Sequence, residues 1–260
     1  MLLAIDVGNT NIVLGVFDGQ TLVESWRLQT VRERTPDELG LLVDGLFAHS
    51  HIEPSRIRGI IMGSVVPPLT GTIRAMVQRY FGVTALNVEP GVNTGMPILY
   101  ENPAEVGADR IVNSVAAYER FGRDSARPLV VVDFGTATTF DAITAGGEYL
   151  GGAICPGVQI SADALFQRAA RLPRIDVRKP MRVVGRTTVG AMESGLFYGY
   201  VGMVEGLVRR MGDELGGNAV CIATGGLAAM IAPETSLIEH VDADLTLQGL
   251  RIVWERNQPD

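Results

Sequence analysis

One pattern occurs twice in this chain, and it restricts the fold more than anything else in the sequence. The first copy is Leu2-Leu3-Ala4-Ile5-Asp6-Val7-Gly8-Asn9-Thr10-Asn11, and the second is Leu129-Val130-Val131-Val132-Asp133-Phe134-Gly135-Thr136-Ala137-Thr138. Each reads as a buried apolar strand running into an aspartate, then one apolar residue, a glycine and small polar residues. Each continues into a second strand, a glycine turn and a third strand. In the first copy these are Ile12–Phe17, Asp18-Gly19 and Leu22–Leu28. In the second they are Thr139–Ile143, Gly146-Gly147 and Tyr149–Gly152. A repeat of strand, acid turn and meander predicts two domains of one kind.

The composition of the turn suggests its use. Glycine lets a ligand approach the backbone, and successive exposed N–H groups make a nest for phosphate oxygens. Gly8-Asn9 is also hairpin chemistry, since both residues tolerate positive φ. A carboxylate at the strand end repels phosphate but can hold magnesium that bridges to it.

The basic residues are nearly all arginine; Lys179 is the only lysine, set between Arg178 and Pro180. This excludes a P-loop, whose lysine follows a glycine-rich turn. The net charge of −7 excludes the basic footprint of a nucleic-acid binder. Cys155 and Cys221 lie in apolar surroundings without metal-ligand spacing, and His49 and His51 read as loop surface. Asp6 interrupts the opening apolar run, and no run approaches a membrane span, so a soluble cytoplasmic protein is expected.

Between the repeats, Thr35-Pro36-Asp37-Glu38 reads as a helix start, Arg58–Val66 as a buried strand closed by Pro67-Pro68, Thr70–Phe81 as an amphipathic helix and Thr84–Val88 as a strand. Asn102-Pro103-Ala104-Glu105 is a capping signature. A break at Gly107 makes Asp109 and Arg110 the opening of a fresh helix, where the helix end and the neighbouring cation both favour an ionised carboxylate. The polar stretch Gly122–Pro128 is the expected boundary, giving domains 1–121 and 122–260. In the second half, Ser161–Arg171 and Val189–Met211 read as helices, the latter capped by a hydroxyl after Gly185-Arg186. The strand Ala219–Ala223 runs through Thr224-Gly225-Gly226 into a helix from Leu227.

These motifs in order, with Tyr100-Glu101-Asn102-Pro103, Gly107-Ala108-Asp109-Arg110 and Gly151-Gly152-Ala153-Ile154-Cys155-Pro156-Gly157, resemble the type III pantothenate kinases of the acetate and sugar kinase, Hsp70 and actin superfamily. The resemblance implies an α/β fold of two ribonuclease H-like domains, each a mixed five-stranded sheet flanked by helices, facing across a nucleotide cleft. It implies ATP-dependent phosphorylation of pantothenate, the first step towards coenzyme A, in a homodimer. Asp6, Val7, Gly8, Asn9, Thr10, Asn11, Ile12 and Val13 would hold the ATP phosphates, with Asp6 near magnesium, and Thr136 would also contact ATP. Asp109 would be the general base. Tyr100, Gly107, Ala108, Arg110 and Thr188 would line the pantothenate site, and Asp133 would bind a monovalent cation, potassium or ammonium. Thr187 departs from the Asn or Ser usual in the family, which leaves Thr187 or Thr188 as the substrate contact.

That chemistry is consistent with the residues themselves. Phosphoryl transfer needs positioning and charge neutralisation, and an alcohol nucleophile gains from a carboxylate within hydrogen-bond reach. Two rival readings are a regulator that kept the nucleotide fold without catalysis and a superfamily ATPase or phosphatase with another substrate.

Overall fold

A computed structural model of the chain describes residues 1–259. They form two compact units. The first comprises Met1–Met96, Glu101–Ala116 and the segment from Leu245 onward; the second comprises Pro97–Tyr100 and Ala117–Asp244.

The first unit is built on a five-stranded sheet. β1 (Leu2–Val7), β2 (Asn11–Asp18) and β3 (Thr21–Gln29) form the expected antiparallel meander. β4 (Gly59–Ser64) pairs parallel with β1, and β5 (Leu86–Asn87) pairs parallel with β4, giving the order β3-β2-β1-β4-β5. Helix α1 (Pro36–His49) starts with a capping box, in which the Thr35 hydroxyl accepts from the Glu38 N–H and the Glu38 carboxylate accepts from the Thr35 N–H. Helix α2 (Pro67–Phe81) begins at the two prolines that were expected only to close β4, because proline at the first helical turn forfeits no hydrogen bond. Leu3, Ile5 and Val7 of β1 and Leu14 and Val16 of β2 bury one face with Leu39, Val43 and Phe47 of α1 and Leu69, Ile73 and Val77 of α2.

The other face carries glycines, and the last helix, α7 (Leu245–Arg256), uses them. A Cβ at Gly59 would stand 2.1 Å from the Trp254 ring, and one at Gly15 would stand 2.8 Å from Leu247. A single cut at 121/122 therefore does not describe the units. The first passes to the second at Ala116/Ala117, and α7 returns to the first.

The second unit repeats the topology. β6 (Leu129–Phe134), β7 (Ala137–Ile143) and β8 (Tyr149–Pro156) are an antiparallel meander. β9 (Val220–Gly225) pairs parallel with β6, and β10 (Ile238–Val241) pairs parallel with β9. The order β10-β9-β6-β7-β8 is the first sheet's order read from its other edge. β1 and β6 even share one burial sequence, in which the aspartate is the only residue not fully buried. Helices α4 (Val158–Arg168), α5 (Thr188–Glu214) and α6 (Ala228–Ile231) cover the face formed by Val130, Val132, Phe140, Cys221 and Ala223. Two five-stranded mixed sheets flanked by helices are thus as the resemblance implied.

Helix α3 (Ala108–Ala117) opens two residues before Arg110, after a 3-10 turn at Pro103–Glu105 whose cap, Asn102, accepts from the Ala104 N–H. The expected helix to Phe121 instead ends in a π turn, Tyr118–Gly122.

Candidate active site

In the first unit the sheet ends that carry polar residues converge. Asp6 stands opposite Val13 on one side and Gly63 on the other. Past it the Gly8 N–H donates to the Asn11 carbonyl at 3.0 Å, and the Thr30 hydroxyl donates to the Gly8 carbonyl at 2.7 Å, so Gln29–Thr30 at the end of β3 braces the turn. Gly8 and Asn9 form a turn here, and neither uses the positive φ that both tolerate. Glycine is needed at position 8 for space, since a Cβ there would lie 3.1 Å from the Asn11 carbonyl oxygen. Asn9 and Thr10 are exposed at the tip.

The Gly107–Arg110 segment reaches the same end of this sheet. A Cβ on Gly63, the neighbour of Asp6, would lie 3.6 Å from the Ala108 Cβ, and one on Gly107 would lie 3.5 Å from Val65 just past β4. Asp6 and Asp109 therefore flank one strand end, that of β4. Asp109 folds back on its own helix start: Oδ1 accepts from the Arg110 N–H at 2.8 Å, and a Cβ at Gly107 would lie 2.5 Å from that oxygen. Arg110 is buried. The sequence argued for a firmly ionised Asp109. In the structure burial raises its pKa, and this outweighs the lowering by the Arg110 N–H and the Arg110 charge. A carboxylate whose pKa is pushed up by burial is a stronger base once ionised.

The second unit gathers its own set. Asp133 stands opposite Thr224, and Phe134 opposite Gly225, so the Thr224-Gly225-Gly226 turn lies beside the acid turn. Gly225 has φ +88°, and a Cβ there would stand 2.5 Å from Asp133 Oδ1. At the start of α4, a Cβ on Gly157 would lie 2.1 Å from the Thr136 carbonyl oxygen and 2.8 Å from that of Gly135. Asp133, Thr136, Gly157 and Gly225 thus share one sheet end. The Asp133 and Asp6 carboxylates at these strand ends offer the hard oxygen donors that a monovalent cation or a magnesium ion shared with phosphate would take. Among the described residues no group of three or more His, Cys, Asp and Glu is placed to hold a metal unaided.

Thr187 is the N-cap of α5, its hydroxyl accepting from the Gly190 N–H at 3.0 Å. Thr188 lies in the first turn, on the rim of a cavity of about 520 Å³ lined by Leu165, Leu172, Met192 and Leu196. Tyr100 packs its ring on Gly151, where a Cβ would stand 3.1 Å away. The two substrate candidates stand on separate features, Tyr100 against β8 and Thr188 in the first turn of α5.

Sequence reasoning passed over Gly63, Asp141 and Tyr149. A glycine ending the apolar run Ile60-Ile61-Met62, and an aspartate inside Phe140-Asp141-Ala142-Ile143, were the available signals. His49 and His51, read as surface, are both exposed. Lys179 and Arg178, both exposed, pair with Glu234 and Glu193, each at 2.6 Å.

A duplicated sheet of this order is also the fold of solved sugar kinases. Solved structures agree at the level of fold. An inorganic polyphosphate/ATP-glucomannokinase from Arthrobacter matches with a TM-score of 0.51 at 16% identity, covering 98% of each chain. A Campylobacter jejuni protein assigned to a Baf family of transcriptional activators matches with a TM-score of 0.62 at 21% identity, again over 98% of each. The model of the family described as type III pantothenate kinase matches residues 2–210. Type III pantothenate kinases from Myxococcus xanthus and Geobacter sulfurreducens are 56% and 55% identical to this chain, over 99% of it and 99% and 100% of their own lengths. This chain belongs to the type III pantothenate kinase family.

Proposed function

We infer that this protein transfers the γ-phosphoryl group of ATP to the hydroxyl of pantothenate, giving 4'-phosphopantothenate in the first step of coenzyme A biosynthesis. The reading is carried by the identity above 50%, along the whole chain, to relatives that bear that activity in their names.

Asp6 and the turn Val7–Val13 would hold the phosphates, with backbone N–H groups meeting the oxygens and Asp6 holding magnesium, whose charge offsets theirs. Thr136 would contact ATP, and Asp133 would hold potassium or ammonium, adding positive charge that no lysine near these turns in sequence supplies. Asp109 would accept the proton of the attacking hydroxyl. Its support is the shared flank on Gly63 with Asp6, together with a pKa raised by burial. Tyr100, Gly107, Ala108, Arg110 and Thr188 would line the pantothenate site. Thr188 is favoured over Thr187 because the latter's hydroxyl is engaged as a cap.

Exposed apolar side chains on the second unit, among them Ile154, Ile160 and Phe166, support a homodimer. No helix among the described residues is long and apolar enough to cross a membrane, which fits the cytoplasmic placing of a biosynthetic enzyme.

The test is ADP release with ATP and magnesium, with and without pantothenate, in potassium, ammonium and sodium salts. Turnover should require pantothenate and should fall in sodium. ADP release indifferent to pantothenate would reject the substrate, and equal rates in all three salts would remove Asp133 from the cation site.

A further inference from the structure

Four residues, Pro97–Tyr100, belong to the second unit although Met96 and Glu101 on either side belong to the first. They are held at the first residue of the edge strand β8. The Tyr149 N–H donates to the Pro97 carbonyl at 2.9 Å, and the Leu99 N–H donates to the Tyr149 carbonyl at 2.8 Å, making a parallel bridge between Ile98 and Tyr149. The Tyr149 side chain is wholly buried, and its hydroxyl donates to Oδ1 of Asp141 at 2.8 Å; Asp141 is wholly buried too. Thr139 donates to the other carboxylate oxygen at 3.4 Å.

On this base sits Tyr100. Its ring is 6.4 Å from that of Tyr149, tilted by 52°, and it fills the space where Gly151 lacks a side chain. Gly151 has φ +128°, a backbone conformation open to glycine. Tyr100 is half-buried, and among the described residues its hydroxyl has no hydrogen-bond partner. A buried carboxylate is costly to keep inside a sheet unless its hydrogen bonds are made. One of its donors here is a tyrosine whose backbone and ring both set the segment that ends in Tyr100.

We propose that Asp141 and Tyr149, with the Gly151 notch, are positioning residues that fix the Tyr100 ring against the alcohol substrate. This rests on the pantothenate kinase reading and on Tyr100 lining the substrate site. Neither Asp141 nor Tyr149 acts on a reacting atom. Their effect is on the population of Tyr100 in the orientation that meets substrate, so loss of the device weakens binding of the alcohol and leaves ATP untouched.

Steady-state kinetics of the full chain against both substrates test this. Tyr149→Phe removes the hydroxyl alone, and it should raise the KM for pantothenate about two- to tenfold, the range of one lost hydrogen bond. The KM for ATP should stay unchanged. In a Tyr100→Ala background the same substitution should have no further effect on the KM for pantothenate. Gly151→Ala is the second variant, should Tyr149→Phe fail to fold. It keeps the Tyr149–Asp141 bond, displaces the ring directly, and should give the same selective rise. Equal changes in both KM values, or an undiminished effect in the Tyr100→Ala background, would overturn the proposal. Active wild-type enzyme whose KM for pantothenate is indifferent to Tyr100→Ala would overturn it as well. Wild-type protein without pantothenate-dependent turnover would sink the functional reading and the proposal with it.

Discussion

Gly225→Ala against Gly226→Ala measures how tightly the second acid turn is built. Gly225 sits at φ +88°, where an L-residue is strained by about 1–2 kcal/mol. Its added methyl would stand 2.5 Å from Asp133 Oδ1 and 2.7 Å from the Phe134 backbone N and C. The carboxylate can rotate away, but the Phe134 backbone is fixed by the β6–β9 ladder, so overlap adds about 1–3 kcal/mol. The sum is about 2–5 kcal/mol, or roughly 5–15 °C in Tm for a chain of this size. Gly226 has no heavy atom within 4 Å of its would-be Cβ. Gly226→Ala should change stability by less than about 1 kcal/mol. Thermal melts of both variants, with potassium titrations of activity, make the assay. Gly225→Ala should melt lower and need more potassium for half-activation. Equal melting of the two variants would refute the crowding at Asp133, and an unaltered potassium response in a destabilised Gly225→Ala would detach that crowding from the cation.

Three further outcomes follow from the structure. Thr187→Ala removes the α5 cap and should cost about 1 kcal/mol by denaturant unfolding, with Thr188→Ala costing less stability but raising the KM for pantothenate. Cys221, fully buried and with its thiol pushed up to about 12, should resist alkylation at pH 8 in the folded protein, whereas half-buried Cys155 should label first; mass spectrometry of the labelled peptides reads this. Asp109 has a folded pKa above its unfolded value, so the native state holds the proton longer. Stability should fall as pH rises from the ordinary carboxylate range through the raised pKa and then level off, and Asp109→Asn should abolish that slope in urea melts between pH 4 and pH 7.

The repeat was legible because both copies rest on local chemistry: an unbroken apolar run, an acid at its end, and a glycine where the backbone is crowded. Asp6 and Asp133 could be found that way, as could the fresh helix at Asp109, marked by Gly107. The α7 helix was not. Its apolar residues span a broad arc, and its place on the first sheet depends on Gly15, Gly59 and Gly63, residues about 190 to 235 positions away whose role as a floor for Leu247, Trp254 and Leu250 only packing reveals. β10 was missed because an edge strand of four residues, Ile238-Glu239-His240-Val241, is too short and too exposed to show a pattern. The upward shift of the Asp109 pKa was not legible for a similar reason. The neighbouring cation and helix end are visible in sequence, whereas desolvation depends on what lies around the carboxylate in three dimensions.

The most direct test of the account is turnover of Asp109→Asn in pantothenate-dependent ADP release. The expected result is a folded protein that still binds ATP, with kcat reduced by about 10²–10⁴-fold, the usual contribution of a positioned base. A variant that turns over at the wild-type rate would contradict it.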